Sequence, residues 1–295
     1  MTYAAFWKRL APLYGEGEAK AMARMVYASR YGLTLADLLM GRDSEVPHEE
    51  LQQMLQRLEQ GEPVQYVLGE ELFGGRRFKV TPDVLIPRPE TQELCQWIVE
   101  EATHHTPLPV HRLLDIGTGS GCIAVTLALE LPQAHVTAWD ISDRALAVAR
   151  ENAQRLGATV TFQQVDALHL PSVIRNPSSV IRNPSSLTRN PSPITLLVSN
   201  PPYICEQEKA HMAPNVLDHE PSLALFVPDD DPLLFYRSIA RYAREALVPG
   251  GQLFFEINPL YRDELTAMLR DMGYTHIETR ADQFGLQRML KAQTP

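Results

Sequence analysis

Along the first part of the chain, apolar residues return at three- and four-residue steps. Met25, Leu33, Leu35, Leu38 and Leu39, then Leu51, Met54, Leu55 and Leu58, fall on helical spacings, the period at which one face of an α-helix meets a core. Gly41 and Gly61 stand where such helices would stop, so residues 1–70 are expected to form a small helical domain. The stretch from Leu72 to Val80 reads instead as a hairpin turning at Gly74-Gly75, because a glycine pair takes up the positive φ of a tight turn. It would serve, within residues 71–91, as a linker. From Arg112 onward strand and helix patterns alternate: strands over 112–116, 135–140 and 160–165, helices over 124–131 and 143–156. The alternation resumes with strand 196–199, helix 232–247, strand 252–257, helix 262–272 and two last strand candidates at 276–279 and 287–290. An α/β fold follows, with a mostly parallel sheet covered on both faces and an antiparallel hairpin at its end. Residues 92–295 form this second domain.

One segment breaks the alternation. Between 172 and 193 the run Pro177-Ser178-Ser179-Val180-Ile181-Arg182-Asn183 repeats as Pro184-Ser185-Ser186-Leu187-Thr188-Arg189-Asn190. A seven-residue period suggests a coiled coil, but a proline in each repeat removes a helix hydrogen bond and clashes with the preceding turn, at roughly 3 kcal/mol each. A flexible surface insertion is expected.

Composition narrows the function. Of 295 residues, 44% are hydrophobic and 21% charged, as in an ordinary globular protein. The formal net charge is −9, and residues 1–75 carry 7 Lys+Arg against 11 Asp+Glu. A protein that grips a phosphate backbone usually presents a basic surface, so direct nucleic-acid binding is not expected. Cys95, Cys122 and Cys205 form no C-x-x-C pair and are odd in number, which fits a reducing compartment. With no signal-peptide pattern at the start and no apolar run of membrane length, the cytoplasm is the expected location and no membrane is involved. The histidines, His104-His105 included, lack partners at ligand spacing, so no metal is expected.

Two segments carry the chemistry. Asp115-Ile116-Gly117-Thr118-Gly119-Ser120-Gly121 follows a strand and opens a helix, where glycines let the backbone pass close to a nucleotide-type cofactor. Asp115 either meets the cofactor or caps the turn. Asp140, at the end of the next strand with Ile141 beside it, is placed to accept from both ribose hydroxyls; its bland alternative is a cap for the following helix. Asp166 and Ala167 end the third strand. The second segment, Asn200-Pro201-Pro202-Tyr203, follows the apolar run 194–198. An amide or ring-amino nitrogen is a poor nucleophile because its lone pair is delocalised, so a catalyst must hold the NH2 with that lone pair aimed at the electrophile. The Asn200 side-chain oxygen and a backbone carbonyl of Pro201-Pro202 supply the two acceptors, the prolines fix the direction of that carbonyl, and Tyr203 offers a flat face to the planar group.

These residues resemble the class I S-adenosylmethionine-dependent methyltransferases, and within them the protein-glutamine N5-methyltransferases that modify peptide chain release factors. Gly61 to Tyr66 with Leu68-Gly69, Val84 to Thr91, the glycine segment, Asn200 to Tyr203, and Glu220 to Leu225 carry the resemblance. It implies a Rossmann-like seven-stranded sheet with the glycine segment, Asp140-Ile141, Asp166-Ala167 and Asn200 around S-adenosylmethionine. Asp166 resembles the residue that meets the adenine amino group. The resemblance also implies that Arg88, Pro89, Glu90 and Thr91 wall the substrate and cofactor cavity; as a plain helix start, Glu90 or Thr91 would only cap the helix toward Trp97. The glutamine of a Gly-Gly-Gln loop is the implied substrate, and a monomer is expected. Because Asn-Pro-Pro-Tyr also looks like enzymes that methylate amino groups of adenine or guanine, a nucleic-acid substrate stays open as the alternative.

Overall fold

A computed structural model describes residues 1–105, 110–171 and 194–295; the repeat expected to be an insertion, 172–193, lies outside them. In chain order the elements are α1 (Tyr3–Tyr31), α2 (Leu35–Leu39), α3 (His48–Glu59), α4 (Val64–Leu68), β1 (Glu70–Phe73), β2 (Arg76–Lys79) and α5 (Pro89–Glu100). Then follow β3 (Arg112–Ile116), α6 (Cys122–Glu130), β4 (His135–Asp140), α7 (Asp143–Leu156), β5 (Val160–Gln164), β6 (Ile194–Ser199) and β7 (Ile204–Cys205). The last part holds α8 (Pro214–His219), β8 (Phe226–Val227), α9 (Leu234–Ala246), β9 (Leu247–Glu256), α10 (Arg262–Asp271), β10 (Thr275–Ala281) and β11 (Gln287–Gln293).

The N-terminal helices close over their own core, in which Phe6, Leu10, Val26 and Tyr27 of α1 pack with Leu51, Leu55 and Leu58 of α3. Helix α1 begins on a Thr2 cap whose side chain accepts from Ala5 N, breaks its helical geometry at Gly15 (φ 77) and ends at left-handed Gly32. Of the apolar positions read from spacing, Leu38, Leu51, Met54, Leu55 and Leu58 are buried, but Met25, Leu35 and Leu39 are exposed. Met22, Ala23, Val26 and Tyr27 share one face of α1 and pack inward, and Met25 lies off that face.

The β1–β2 hairpin turns at Gly74 (φ 57) and Gly75 (φ 74) as expected. It packs on the large sheet. Phe73 and Phe78 sit in the hydrophobic cluster of the large sheet, and Asn152 of α7 clamps the hairpin, accepting from Lys79 N at 2.7 Å and donating to Lys79 O at 2.9 Å.

The large sheet has seven strands in the order β10-β11-β9-β6-β3-β4-β5. Strands β9, β6, β3, β4 and β5 pair parallel, and β11 pairs antiparallel to both β9 and β10. The final strand of the chain thus slots between β9 and β10, giving the class I methyltransferase arrangement. Strands β3, β6 and β9 are apolar on both faces, as strands covered twice must be: Leu113, Val198 and Phe254 face the α6 side, while Leu114, Leu197 and Phe255 face α9. The order reverses beside β3, where β4 lies to one side and β6 to the other, and ligands bind at such switch points, beyond the carboxyl ends of the strands. A two-stranded parallel sheet, β7 with β8, was not legible in the sequence.

Candidate active site

Two loops at neighbouring strand ends frame the site. After β3, Gly117 and Gly119 adopt φ values of 76° and 54°, which glycine reaches without strain. Gly117 N and Thr118 N both donate to Trp139 O, at 2.8 and 2.9 Å, tying the turn to β4. Gly121 has another task. At φ +81 a Cβ there would lie 3.0 Å from Ala149 Cβ, so Gly121 lets α6 and α7 approach closely.

Asp115 is fully buried under this turn, where Thr118 Oγ1 donates to its Oδ2 at 2.6 Å. Its Oδ1 has no hydrogen-bond partner. Burial pushes its pKa up to about 7, with the Thr118 hydrogen bond pulling against that and the Asp140 carboxylate adding to it. Asp140 receives Gly119 N at 2.8 Å and Ser142 N at 2.9 Å on its two oxygens, while burial raises its pKa. It is not the cap of α7; Ser142 is, its side chain accepting from Ala145 N. Asp166 accepts from Leu168 N at 2.8 Å and pairs with His169 Nδ1 at 2.7 Å. Its burial is outweighed by these hydrogen bonds and the net pKa is lowered.

A cavity of about 250 Å³ opens beyond these strand ends. Gly117 to Ser120, Asp140, Ile141, Asp166, Ala167, Arg88, Thr91 and Asn200 to Pro202 line it, with Leu85, Ile86, Phe235 and Ile239 making apolar wall. A second cavity of about 230 Å³ adjoins it, lined by Tyr203, Ile204, Met212, Val216, Leu225 and Glu256. Leu85, Arg88, Asn200, Pro201 and Ala224 line both. Asp115, Gly121, Pro89 and Glu90 line neither.

The dividing wall is held by a polar chain that the sequence did not disclose. Asn200 Nδ2 donates to Thr91 Oγ1 at 3.2 Å, and Thr91 Oγ1 donates to Glu256 Oε2 at 2.6 Å. Tyr203 Oη donates to the other oxygen, Glu256 Oε1, at 3.0 Å. Glu256 ends β9 and is 2% exposed. Burial raises its pKa; the hydrogen bonds from Thr91 and Tyr203 and the charge of Arg288 pull it back, and Glu90 pushes it up. Thr91 therefore does not cap α5, which has no side-chain cap: Arg88 occupies the N-cap, Pro89 starts the helix and Thr91 turns inward, 2% exposed. Arg88 reaches across the cavity rim to Glu220 Oε1 at 2.5 Å, and Glu220 Oε2 accepts from Ile86 N at 3.2 Å. Asn258 Nδ2 donates to Tyr203 O at 3.1 Å and fixes the exit of the tetrapeptide. An acid directly after the apolar run Leu253-Phe254-Phe255 was the one sequence signal for Glu256. Its partners lie too far along the chain for any local pattern.

Among the described residues no group of three or more His, Cys, Asp or Glu side chains is placed to hold a metal ion, and no helix is long and apolar enough to cross a membrane.

Comparison with known proteins resolves the family. Residues 7–69 match the PrmC N-terminal domain and residues 110–191 match a methyltransferase domain. A release factor glutamine methyltransferase of Bacteroides thetaiotaomicron is 44% identical over 96% of this chain and 95% of its own. One from Flavobacterium psychrophilum is 37% identical over 97% and 95%. Among solved structures, the hMettl16 catalytic domain in complex with MAT2A 3'UTR hairpin 6 is similar with a TM-score of 0.53, at 17% identity, over 83% of this chain and 81% of that one; the likeness concerns the fold. With two domains matched in order and near full-length identity of this size, the chain belongs to the release factor glutamine methyltransferase family.

Proposed function

We propose that this protein uses S-adenosylmethionine to methylate the side-chain amide nitrogen of a glutamine in the Gly-Gly-Gln loop of a release factor, giving N5-methylglutamine. The observation that carries the reading is the pair of adjoining cavities that share Asn200 and Pro201 as their common wall. One chamber suits the cofactor and the other a side chain inserted from a protein loop.

The larger chamber fits the cofactor on its donor set. Gly117 and Gly119 keep one wall free of side chains, Asp140 presents a carboxylate to hydroxyls, and Ser120 Oγ is buried with no partner. The walls from Leu85, Ile141, Ala167, Phe235 and Ile239 suit a flat, largely apolar ring. Ala167 leaves room there, and Ile239 and Phe235 supply the covering surface from α9. Asp115, sealed beneath the glycine turn and lining neither chamber, would act on the ammonium through its charge from below the turn. When bound, S-adenosylmethionine supplies an electrophilic methyl group on its sulfonium. The chain's own contribution is orientation. Asn200 lines both cavities, and with its Nδ2 committed to Thr91 its Oδ1 is the end left to take one N–H of the substrate amide, while a carbonyl of Pro201-Pro202 takes the second. Both acceptors hold the nitrogen with its lone pair directed across the wall. Tyr203, its hydroxyl fixed on Glu256, covers the amide from the second chamber. Positioning and exclusion of water account for the catalysis, and no base is required, because a methylated amide nitrogen is acidic enough to release its proton to water.

The arrangement supports a two-part division of labour, with residues 1–70 recognising the protein substrate and 92–295 carrying the reaction. Action in the cytoplasm is consistent with the three buried, unpaired cysteines, and the net charge of −9 supports a protein partner over a phosphate backbone.

The test is incubation with methyl-labelled S-adenosylmethionine and, separately, a release factor, the same factor with its loop glutamine replaced, and structured RNA. Label confined to the loop glutamine by mass spectrometry is expected. Label on RNA with an unmodified release factor would overturn the substrate assignment.

A further inference from the structure

Resting on that reading, we infer that Thr91 and Glu256 are positioning residues that fix which end of the Asn200 amide faces the substrate. An asparagine side chain is nearly symmetric in shape, and nothing about its packing alone distinguishes oxygen inward from nitrogen inward. The reaction needs the oxygen. A substrate NH2 facing the Asn200 NH2 would meet donor with donor, lose its hydrogen bond and turn its lone pair away from the electrophile.

The chain of hydrogen bonds resolves this by directionality. A carboxylate only accepts, and Glu256 accepts on both oxygens, from Thr91 at 2.6 Å and from Tyr203 at 3.0 Å. The Thr91 hydroxyl has a single proton, and that proton is committed to Glu256. What Thr91 presents to Asn200 is therefore a lone pair, and only the Nδ2 end of the amide satisfies it, at 3.2 Å. Oδ1 is left pointing into the cavities. The polarity of the catalytic amide is set by a carboxylate that does not touch it, through one hydroxyl. These groups come from α5, the loop after β6 and the end of β9, so the relay also couples the wall between the chambers to the sheet and to α5.

Three substitutions separate this role from simple packing. Thr91→Val keeps the volume and removes the hydroxyl. Glu256→Gln keeps the shape but adds a donor, which frees Thr91 to donate to Asn200 Oδ1 and turn the amide round. Thr91→Ser restores the hydroxyl with one methyl fewer. With release factor as substrate, Thr91→Val and Glu256→Gln are expected to lower kcat about 10- to 100-fold, the effect of losing one buried hydrogen bond that matters in the transition state. Both variants stay folded, with melting curves lowered by the buried hydrogen bond each loses, and their affinity for S-adenosylmethionine by calorimetry stays near that of the parent. Thr91→Ser returns kcat to within about threefold. In the amide region of a spectrum of nitrogen-15-labelled protein, the Asn200 NH2 pair shifts in Thr91→Val and Glu256→Gln but not in Thr91→Ser. Folded Thr91→Val and Glu256→Gln proteins with parental kcat, or an unchanged Asn200 NH2 signal, would overturn the relay. Failure of the parent enzyme to methylate the release factor strikes at the proposed function instead, and the NH2 signal, which needs no substrate, still decides the relay.

Discussion

The loops after β3 and β6 leave adjacent parallel strands and border the same cavity, yet they are built by opposite means. The β3 loop is made by backbone: glycines at positive φ, main-chain hydrogen bonds to Trp139, and an aspartate sealed underneath. The β6 loop is made by side chains from elsewhere, since Asn200 depends on Thr91 109 residues away and Thr91 on Glu256 165 residues away. A backbone-built loop tolerates changes in its neighbours and fails when its own glycines change. A loop oriented by remote side chains fails when those are altered, with its own sequence intact.

The largest expected effect lies on the β6 side. Asn200→Ala removes the acceptor itself, and kcat is expected to fall about 1000-fold or more, while cofactor affinity measured by calorimetry changes by less than about fivefold. A fall in cofactor affinity that matches the loss of kcat would mean that Asn200 serves binding more than orientation.

On the β3 side the matching substitution is Gly121→Ala. It forces a side chain into φ +81 and places a Cβ 3.0 Å from that of Ala149, so strain and overpacking add. Urea unfolding is expected to show a loss of about 2–4 kcal/mol. A loss below about 1 kcal/mol would show that α6 and α7 have slack. The contrast to look for is that Gly121→Ala lowers stability and Asn200→Ala lowers turnover.

The same contrast explains what was legible. Alternating strand and helix periods gave the parallel sheet, and Gly74-Gly75 gave the hairpin, because each is determined within a few residues. The glycine turn and Asn-Pro-Pro-Tyr were legible for the same reason. Glu256, the inward turn of Thr91 and the Arg88–Glu220 pair were not. They become meaningful only after β9 has been laid beside β6 and α5 packed across both. The packing role of Gly121 was not legible either, because the residue it lies against, Ala149, is on the next helix. In α1 the core face includes Ala19, Ala23 and Tyr27, which a count of large aliphatic side chains passes over, while Met25 lies off it.

A smaller effect comes from protonating the β6 network. The Glu256 carboxylate accepts from Thr91 and Tyr203, and the charges of Glu90 of α5 and Arg288 of β11 act on it in opposite directions, with Cys95 of α5, Cys122 of α6 and Tyr236 of α9 the other titratable groups within its field. Burial raises its pKa above the usual 4.5. Once protonated, Glu256 can donate to Thr91 and release the Asn200 amide from its fixed orientation. Turnover by the parent enzyme is expected to fall as pH drops through that raised pKa, approaching tenfold per unit. The Glu256→Gln variant, slower throughout, lacks this limb. An acid limb retained in Glu256→Gln would assign the titration to another group.

The last effect is on stability, not turnover, and tests the carboxylate under the β3 turn. Asp115 titrates near 7 in the folded protein, against about 3.9 when unfolded. Its folded pKa is raised, so its contribution to stability is fully present below about pH 3.9 and is lost as pH rises through about 7. Between those values the folded chain holds one proton that the unfolded chain lacks, and the unfolding free energy declines with pH by up to about 1.4 kcal/mol per unit from this group alone. Above about pH 7 the decline stops. Asp115→Asn keeps the acceptor for Thr118 and cannot ionise, so the stability difference between variant and parent should widen from pH 5 to 7 and then level off in urea titrations. A bound ammonium near Asp115 would favour the carboxylate, so saturating S-adenosylmethionine should flatten the parent's slope and leave that of Asp115→Asn unchanged. Parallel curves for parent and variant would mean that Asp115 stays ionised under the turn across this range. The β3 loop would then depend on a buried charge, as the β6 loop does, and the division between a backbone-built and a side-chain-built wall would no longer hold.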